Sequence, residues 1–193
     1  MNNLTELVII IDRSGSMHGL EKDVIGGFNS LIKEQAKEGE VKVTTIFFND
    51  KIKFIHEQVD IKEIKLLEDK DYIPSGCTAL LDAIGDGISF IKASHSKLKE
   101  EEIPAHTIFS IMTDGMENSS NEYTYSRIKD MIELQKKCGW DFIFQAANID
   151  VAKEADRLGI SKDDALAFEA SANGIERNMK YCSASILRKR GRR

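Results

Sequence analysis

Five side chains in this sequence have types and spacings suited to holding a hard cation: Asp12, Ser14, Ser16, Thr78 and Asp114. In Asp12-Arg13-Ser14-Gly15-Ser16 one carboxylate and two hydroxyls alternate along a short polar turn. Such a turn can aim three oxygens at one point, and oxygen donors are what Mg²⁺ prefers. The pentapeptide alone is a weak sign, because Asp and Ser are also ordinary turn and cap residues. Downstream, Thr78 stands in Gly76-Cys77-Thr78-Ala79-Leu80 and Asp114 in Thr113-Asp114-Gly115. Two carboxylates match the charge of a divalent cation. A donor set rich in hydroxyls leaves that cation less neutralised than four carboxylates would, so it can accept one further carboxylate from outside.

The elements that must position these residues are legible from hydrophobic periodicity. Residues 7–11 are an unbroken apolar run, the pattern of a strand buried on both faces. Leu20, Val24, Phe28, Leu31 and Ile32 recur at helical spacing, predicting a helix from about residue 18 to 37, stopped by Gly39. Strands are expected over 41–48 and 51–59, joined by Asn49-Asp50 as a hairpin, so one antiparallel strand should lie at the sheet edge. The polar loop at Ser75 opens a long helix with Leu81, Ile84, Ile88 and Ile91 on its buried face. Gly85 and Gly87 within it predict close packing against the sheet. A central strand is expected over 107–112. Ser119 and Glu122 have capping-box spacing, which predicts a helix starting there and running to residue 136. A strand over 141–147, a helix capped by Asp150 and running to residue 158, and a short strand over 165–168 follow. The last helix carries Ile175, Met179, Cys182 and Ile186 on one face.

Strands alternating with helices indicate an α/β domain, a doubly wound, mostly parallel sheet with one antiparallel edge strand. Loops at the carboxyl ends of neighbouring strands then meet where the strand order reverses. That logic alone can bring the turn after the first strand, the Thr78 loop and the turn after the central strand to one crevice. The same three pieces, in this order and strand-turn context, resemble the metal-ion-dependent adhesion site of von Willebrand factor type A domains, over nearly the whole chain. The resemblance implies a three-layer fold around a six-stranded sheet. It further implies that Ser14, Ser16 and Thr78 are metal ligands, and that Asp12 and Asp114 bind Mg²⁺ (or Mn²⁺) directly or through water. On this reading the chain is a binding module, not an enzyme, and a protein partner supplies an Asp or Glu to the metal. The alternative is a Mg²⁺-dependent phosphoryl-transfer or hydrolase enzyme, since such sites also use a first-strand Asp at a switch point. Against it, Ser14 stands where many such phosphatases need a second Asp.

Composition bounds the rest. A length of 193 residues predicts one domain, over 1–187, with 188–193 as a basic C-terminal tail. Arg188, Lys189, Arg190, Arg192 and Arg193 are expected to form a solvated terminus. A net charge of −5 makes nucleic acid an unexpected partner for the body, leaving only the tail as a weak grip. Glu6 interrupts the first apolar run, which is too short for a secretory signal, and nothing is long enough to span a membrane. Cys77, Cys138 and Cys182 are odd in number and scattered, so no disulfide framework is expected and the cytoplasm is the natural compartment. Without a partner the chain is expected to be a monomer. Near the loops, His18 is expected at the start of the first helix and Glu117 as a solvated loop residue, in preference to an acid–base pair. Cys77 reads as a small loop residue, and Asn148 and Asp150 lie at a strand end beside the site.

Overall fold

The computed structural model describes residues 3–191. Its strands are β1 (Thr5–Asp12), β2 (Val41–Phe48), β3 (Ile52–Asp60), β4 (His106–Thr113), β5 (Trp140–Ala146) and β6 (Ala165–Ala167). The α-helices are α1 (Glu21–Gln35), α2 (Leu80–His95), α3 (Tyr125–Lys137), α4 (Val151–Leu158) and α5 (Ala172–Arg190). The strands form one six-stranded sheet in the order β3-β2-β1-β4-β5-β6, and only the β2–β3 pair is antiparallel. The expected α/β architecture, with its antiparallel edge strand, is the one observed.

β1 lies at the centre and every residue in it is buried, which is why it reads as a continuous apolar run. Leu7, Ile9 and Ile11 pack with Val24, Phe28 and Leu31 of α1 and Ile175, Met179 and Ile186 of α5. Val8 and Ile10 pack on the opposite face with Leu80, Ile84 and Ile88 of α2, Ile128 of α3 and Ala155 of α4. Each large apolar side chain removed from water in this way contributes about 1.5–3 kcal/mol. Gly87 packs against the sheet as expected: a Cβ there would lie 3.1 Å from Ile46 Cδ1 and 3.3 Å from Phe109. Gly85 does not. Its neighbour is the Tyr123 ring, in the connection before α3.

β3 is an irregular edge. Its register against β2 slips twice, between Val43 and Thr45 and between Thr45 and Ile46, and Gln58 takes a positive φ of 51°. Thr44 Oγ1 accepts the Gln58 amide at 3.1 Å, and the Gln58 carboxamide donates to the buried Glu6 at 2.7 Å. Bulges of this kind bend an edge strand away from further pairing.

Three further expectations are corrected. α1 begins at Glu21, after the predicted residue 18, because Gly15–Met17 forms a separate tight helical turn and Gly19 has φ +91°. α3 begins at Tyr125 behind the cap Thr124, and no Ser119–Glu122 box forms. The reason is competition for amides: Glu117 takes those of Ser119 and Ser120, and Asp82 takes those of Asn121, Glu122 and Tyr123. The basic run is the third. α5 continues through Arg190, and Lys189 is buried with its ammonium 2.8 Å from Asp141 and 2.7 Å from Asp164. Arg190 donates to Gln35 and to the Glu38 carbonyl, so among the described residues of the run only Arg188 is a solvated side chain as expected. Arg192 and Arg193 lie outside the described residues. No helix among those residues is long and apolar enough to cross a membrane.

Candidate metal centre

The strand order reverses at β1: the chain winds from it toward β2 and β3 on one side, then continues from β4 on the other. The carboxyl ends of β1 and β4 are therefore where loops diverge and leave a crevice. Asp12 ends β1 and Thr113 ends β4, brought level by the parallel register of Ile11 with Met112. The loop before α2 closes over them. Gly15 donates its amide to the Gly76 carbonyl at 3.0 Å, and Ser75 donates to the Arg13 carbonyl at 2.8 Å. Gly76 has φ +73°, and a Cβ there would fall 2.1 Å from Asp50 Oδ1, so this approach requires glycine.

All five predicted residues come together in these loops. Asp12 is fully buried with both oxygens engaged: Ser14 donates its amide to Oδ1 at 2.7 Å and Thr113 its hydroxyl to Oδ2 at 2.6 Å. Ser16 Oγ donates to Asp114 Oδ1 at 2.6 Å and lies 3.1 Å from Ser14 Oγ. Thr78 reaches the same corner: a Cβ on Gly115 would lie 3.9 Å from Ser16 Oγ and 4.0 Å from Thr78 Oγ1. Ser14, Thr78 and Asp114 are buried and Ser16 is exposed, so the site opens to solvent at Ser16.

Supporting residues hold this arrangement, and most were not legible in the sequence. Tyr72, buried, donates its hydroxyl to the Asp12 carbonyl at 2.5 Å. Asn118 clamps Thr78 in both directions, accepting its amide at 2.9 Å and donating to its carbonyl at 3.0 Å. Glu117 is no solvated loop residue: it accepts the Leu81 amide at the start of α2 as well as the amides of Ser119 and Ser120. With Asp82 answering from α2 to the amides of residues 121–123, the Asp114 loop and the Thr78 helix are locked to each other. Thr113, adjacent to Asp114, and Asn148, at a strand end, had a sequence signal. Asn148, at φ 59°, donates to the Asp114 carbonyl at 3.2 Å, while Asp150 caps α4 as expected. His18 stands exposed before α1, 3.2 Å from Glu21, and Cys77 is exposed.

The donor chemistry fits a hard divalent cation. Burial pushes the Asp12 carboxyl above the usual carboxylate range, hydrogen bonds from Thr113 and Ser14 oppose this, and the Asp114 charge adds to it. Two close carboxylates with three hydroxyls around them are a pair that a cation would relieve. Among the described residues no group of three or more His, Cys, Asp or Glu forms a metal-binding cluster, so a cation here depends on the hydroxyls.

No family profile matches the chain, and no curated protein does. Solved structures do. The von Willebrand factor domain of the type V pili tip protein Mfa5 from Porphyromonas gingivalis superposes with a TM-score of 0.74 at 10% identity, covering 100% of this chain and 98% of that one. A von Willebrand factor type A protein from Catenulispora acidiphila gives 0.63 at 14% identity over 95% of this chain and 42% of the other. Proximal thread matrix protein 1 from the mussel byssus, in a structure with a zinc-occupied adhesion-site motif, gives 0.64 at 13% identity over 94% and 45%. Against matches of that kind the chain spans about half of the other protein's length. At these identities the likeness bears on the fold: the chain has the architecture of von Willebrand factor type A domains.

Proposed function

We propose that this protein is a divalent-metal-dependent protein-binding module, working in the cytoplasm as an adaptor or assembly component. Asp12, Ser14, Ser16, Thr78 and Asp114 would hold Mg²⁺ (or Mn²⁺), and the bound ion would supply an electrophilic position for one Asp or Glu side chain of a partner protein. The observation that carries this reading is the convergence of two carboxylates and three hydroxyls in the loops at the switch point, with Ser16 at the open rim. Asp12 and Asp114 lie buried at the base of the site, and a partner's carboxylate would approach from the side where Ser16 is exposed. The manganese-loaded protein TRAP from Plasmodium vivax, which superposes at a TM-score of 0.62 and 16% identity over 92% of this chain and 72% of that one, supports metal binding on this fold. Free cysteines at positions 77, 138 and 182 support a compartment without disulfides. A catalytic role for Asp12 as nucleophile is disfavoured because both its oxygens are engaged and it is fully buried.

Calorimetric titration of Mg²⁺ and Mn²⁺ into wild type and Asp114→Ala tests the reading, with thermal melts alongside. Saturable binding that raises the melting temperature of wild type, and is lost in the variant, is the expected outcome. A wild-type protein that takes up neither ion would overturn it.

A further inference from the structure

The surface around the candidate metal centre carries features that five oxygen donors do not account for. Among the described residues five large hydrophobic side chains are exposed, and two of them, Ile73 at 63% and Met116 at 58%, stand on the loops that build this site. Their positions follow from the backbone. Tyr72 points inward to the Asp12 carbonyl, and its neighbour Ile73, two residues before the Ser75 amide that binds the Arg13 carbonyl, is turned out. Met116 lies between Asp114 and Asn118, the residue that clamps Thr78. Both apolar side chains are thus exposed on loops that build the site, one on the segment leading to Ser75 and the other just after Asp114.

The third feature is a charge. Arg13 lies between the end of β2 and the Ser75 loop, held by its amide to Phe48 and its carbonyl to Ser75. Its Nε is buried without a hydrogen bond, and its guanidinium enters no ion pair among the described residues. Asp50, beside Gly76, is not paired with it. An Nε buried without a hydrogen-bond partner is costly, and the planar donor fork of a guanidinium matches a carboxylate.

We infer that the partner presents its metal-seeking carboxylate within an acidic segment that has apolar residues on both sides, seated on Ile73 and Met116, and a second carboxylate paired with Arg13. This rests on the metal-dependent reading above. Apolar contacts beside a polar anchor exclude water from it and supply selectivity among acidic segments.

Three fluorescent peptides test it: Glu-Leu-Leu-Asp-Leu-Leu-Glu, its Ser-for-Leu counterpart, and its Gln-for-Glu counterpart. Their binding is followed by anisotropy in Mg²⁺, with wild type, Arg13→Gln and the Ile73→Ser/Met116→Ser double variant. Mg²⁺ calorimetry on each protein runs in parallel. Wild type should prefer the first peptide by roughly tenfold over either counterpart. The double variant should lose the preference over the Ser peptide, and Arg13→Gln the preference over the Gln peptide, while all three proteins keep their Mg²⁺ binding. Mg²⁺ uptake without any preference among the peptides, or preferences that survive the substitutions, would overturn the inference and leave the metal reading intact. No Mg²⁺ uptake by wild type overturns the metal reading itself, and this inference with it.

Discussion

Thr113 shows how much of this site depends on residues outside the ligand set. Its hydroxyl donates to Asp12 Oδ2 at 2.6 Å, and the strand register of β1 with β4 sets the contact. Groups of this kind orient a ligand, and their loss typically weakens metal binding by about 10–100-fold. Thr113→Val keeps the shape and removes the donor. Mg²⁺ titration should show a loss of that size, with Thr113→Ser close to wild type; equal affinity in the Val variant would mean that Asp12 holds its position without this bond.

Elements are fixed in register as much by polar contacts as by the apolar core, and α5 shows it best. Asn178 donates to Gln145 at 2.8 Å, Gln145 reaches Ser110 at 2.8 Å and Cys182 at 3.3 Å, and Gln35 reaches Ser183. At the far end Lys189 bridges Asp141 and Asp164. Removing the ammonium would leave two carboxylates facing each other. Lys189→Met is therefore expected to lower stability by about 2 kcal/mol, less than a fully buried pair because both carboxylates keep some contact with water. Arg188→Ala, one residue away and exposed, should stay within roughly 0.5 kcal/mol. Urea denaturation of both variants checks the contrast, and equal effects would show that the clasp is not what holds α5.

For the whole molecule the opposite end of the sheet matters, where Glu6 is buried at the start of β1. Burial pushes its carboxyl from the ordinary 4.5 up to about 7, with hydrogen bonds from Gln58 and Thr44 and the charge of Lys42 opposing the shift. Between these two values the folded protein holds a proton that the unfolded chain has released. The contribution to stability is thus fully present below pH 4.5 and is lost as pH rises through about 7. The size is on the order of 3 kcal/mol. Glu6→Gln removes this dependence, so its stability relative to wild type should rise between pH 4.5 and pH 8 by about that amount. Urea midpoints across the range measure it, and a constant difference would place the titration elsewhere.

The sequence by itself determined the alternation of strands and helices, the antiparallel hairpin at the edge and the five oxygen-bearing residues, four at or just after strand ends and Thr78 before α2. These are local matters, because periodicity and turn chemistry are written in neighbouring residues. The helix start at 119 was misplaced for a reason that hydrophobic periodicity does not carry. The amides that a cap there would have used are taken by Glu117, close by in the chain, and by Asp82, 39 to 41 residues away. The basic run misled in the same way, since Lys189 becomes buried only when α5 lies across two acidic side chains from β5 and the turn before β6. The unpaired Arg13 and the exposed Ile73 and Met116 also emerge only in three dimensions. Whether a charge is paired, or an apolar side chain covered, depends on which distant segments fold against it, and that is decided by tertiary packing.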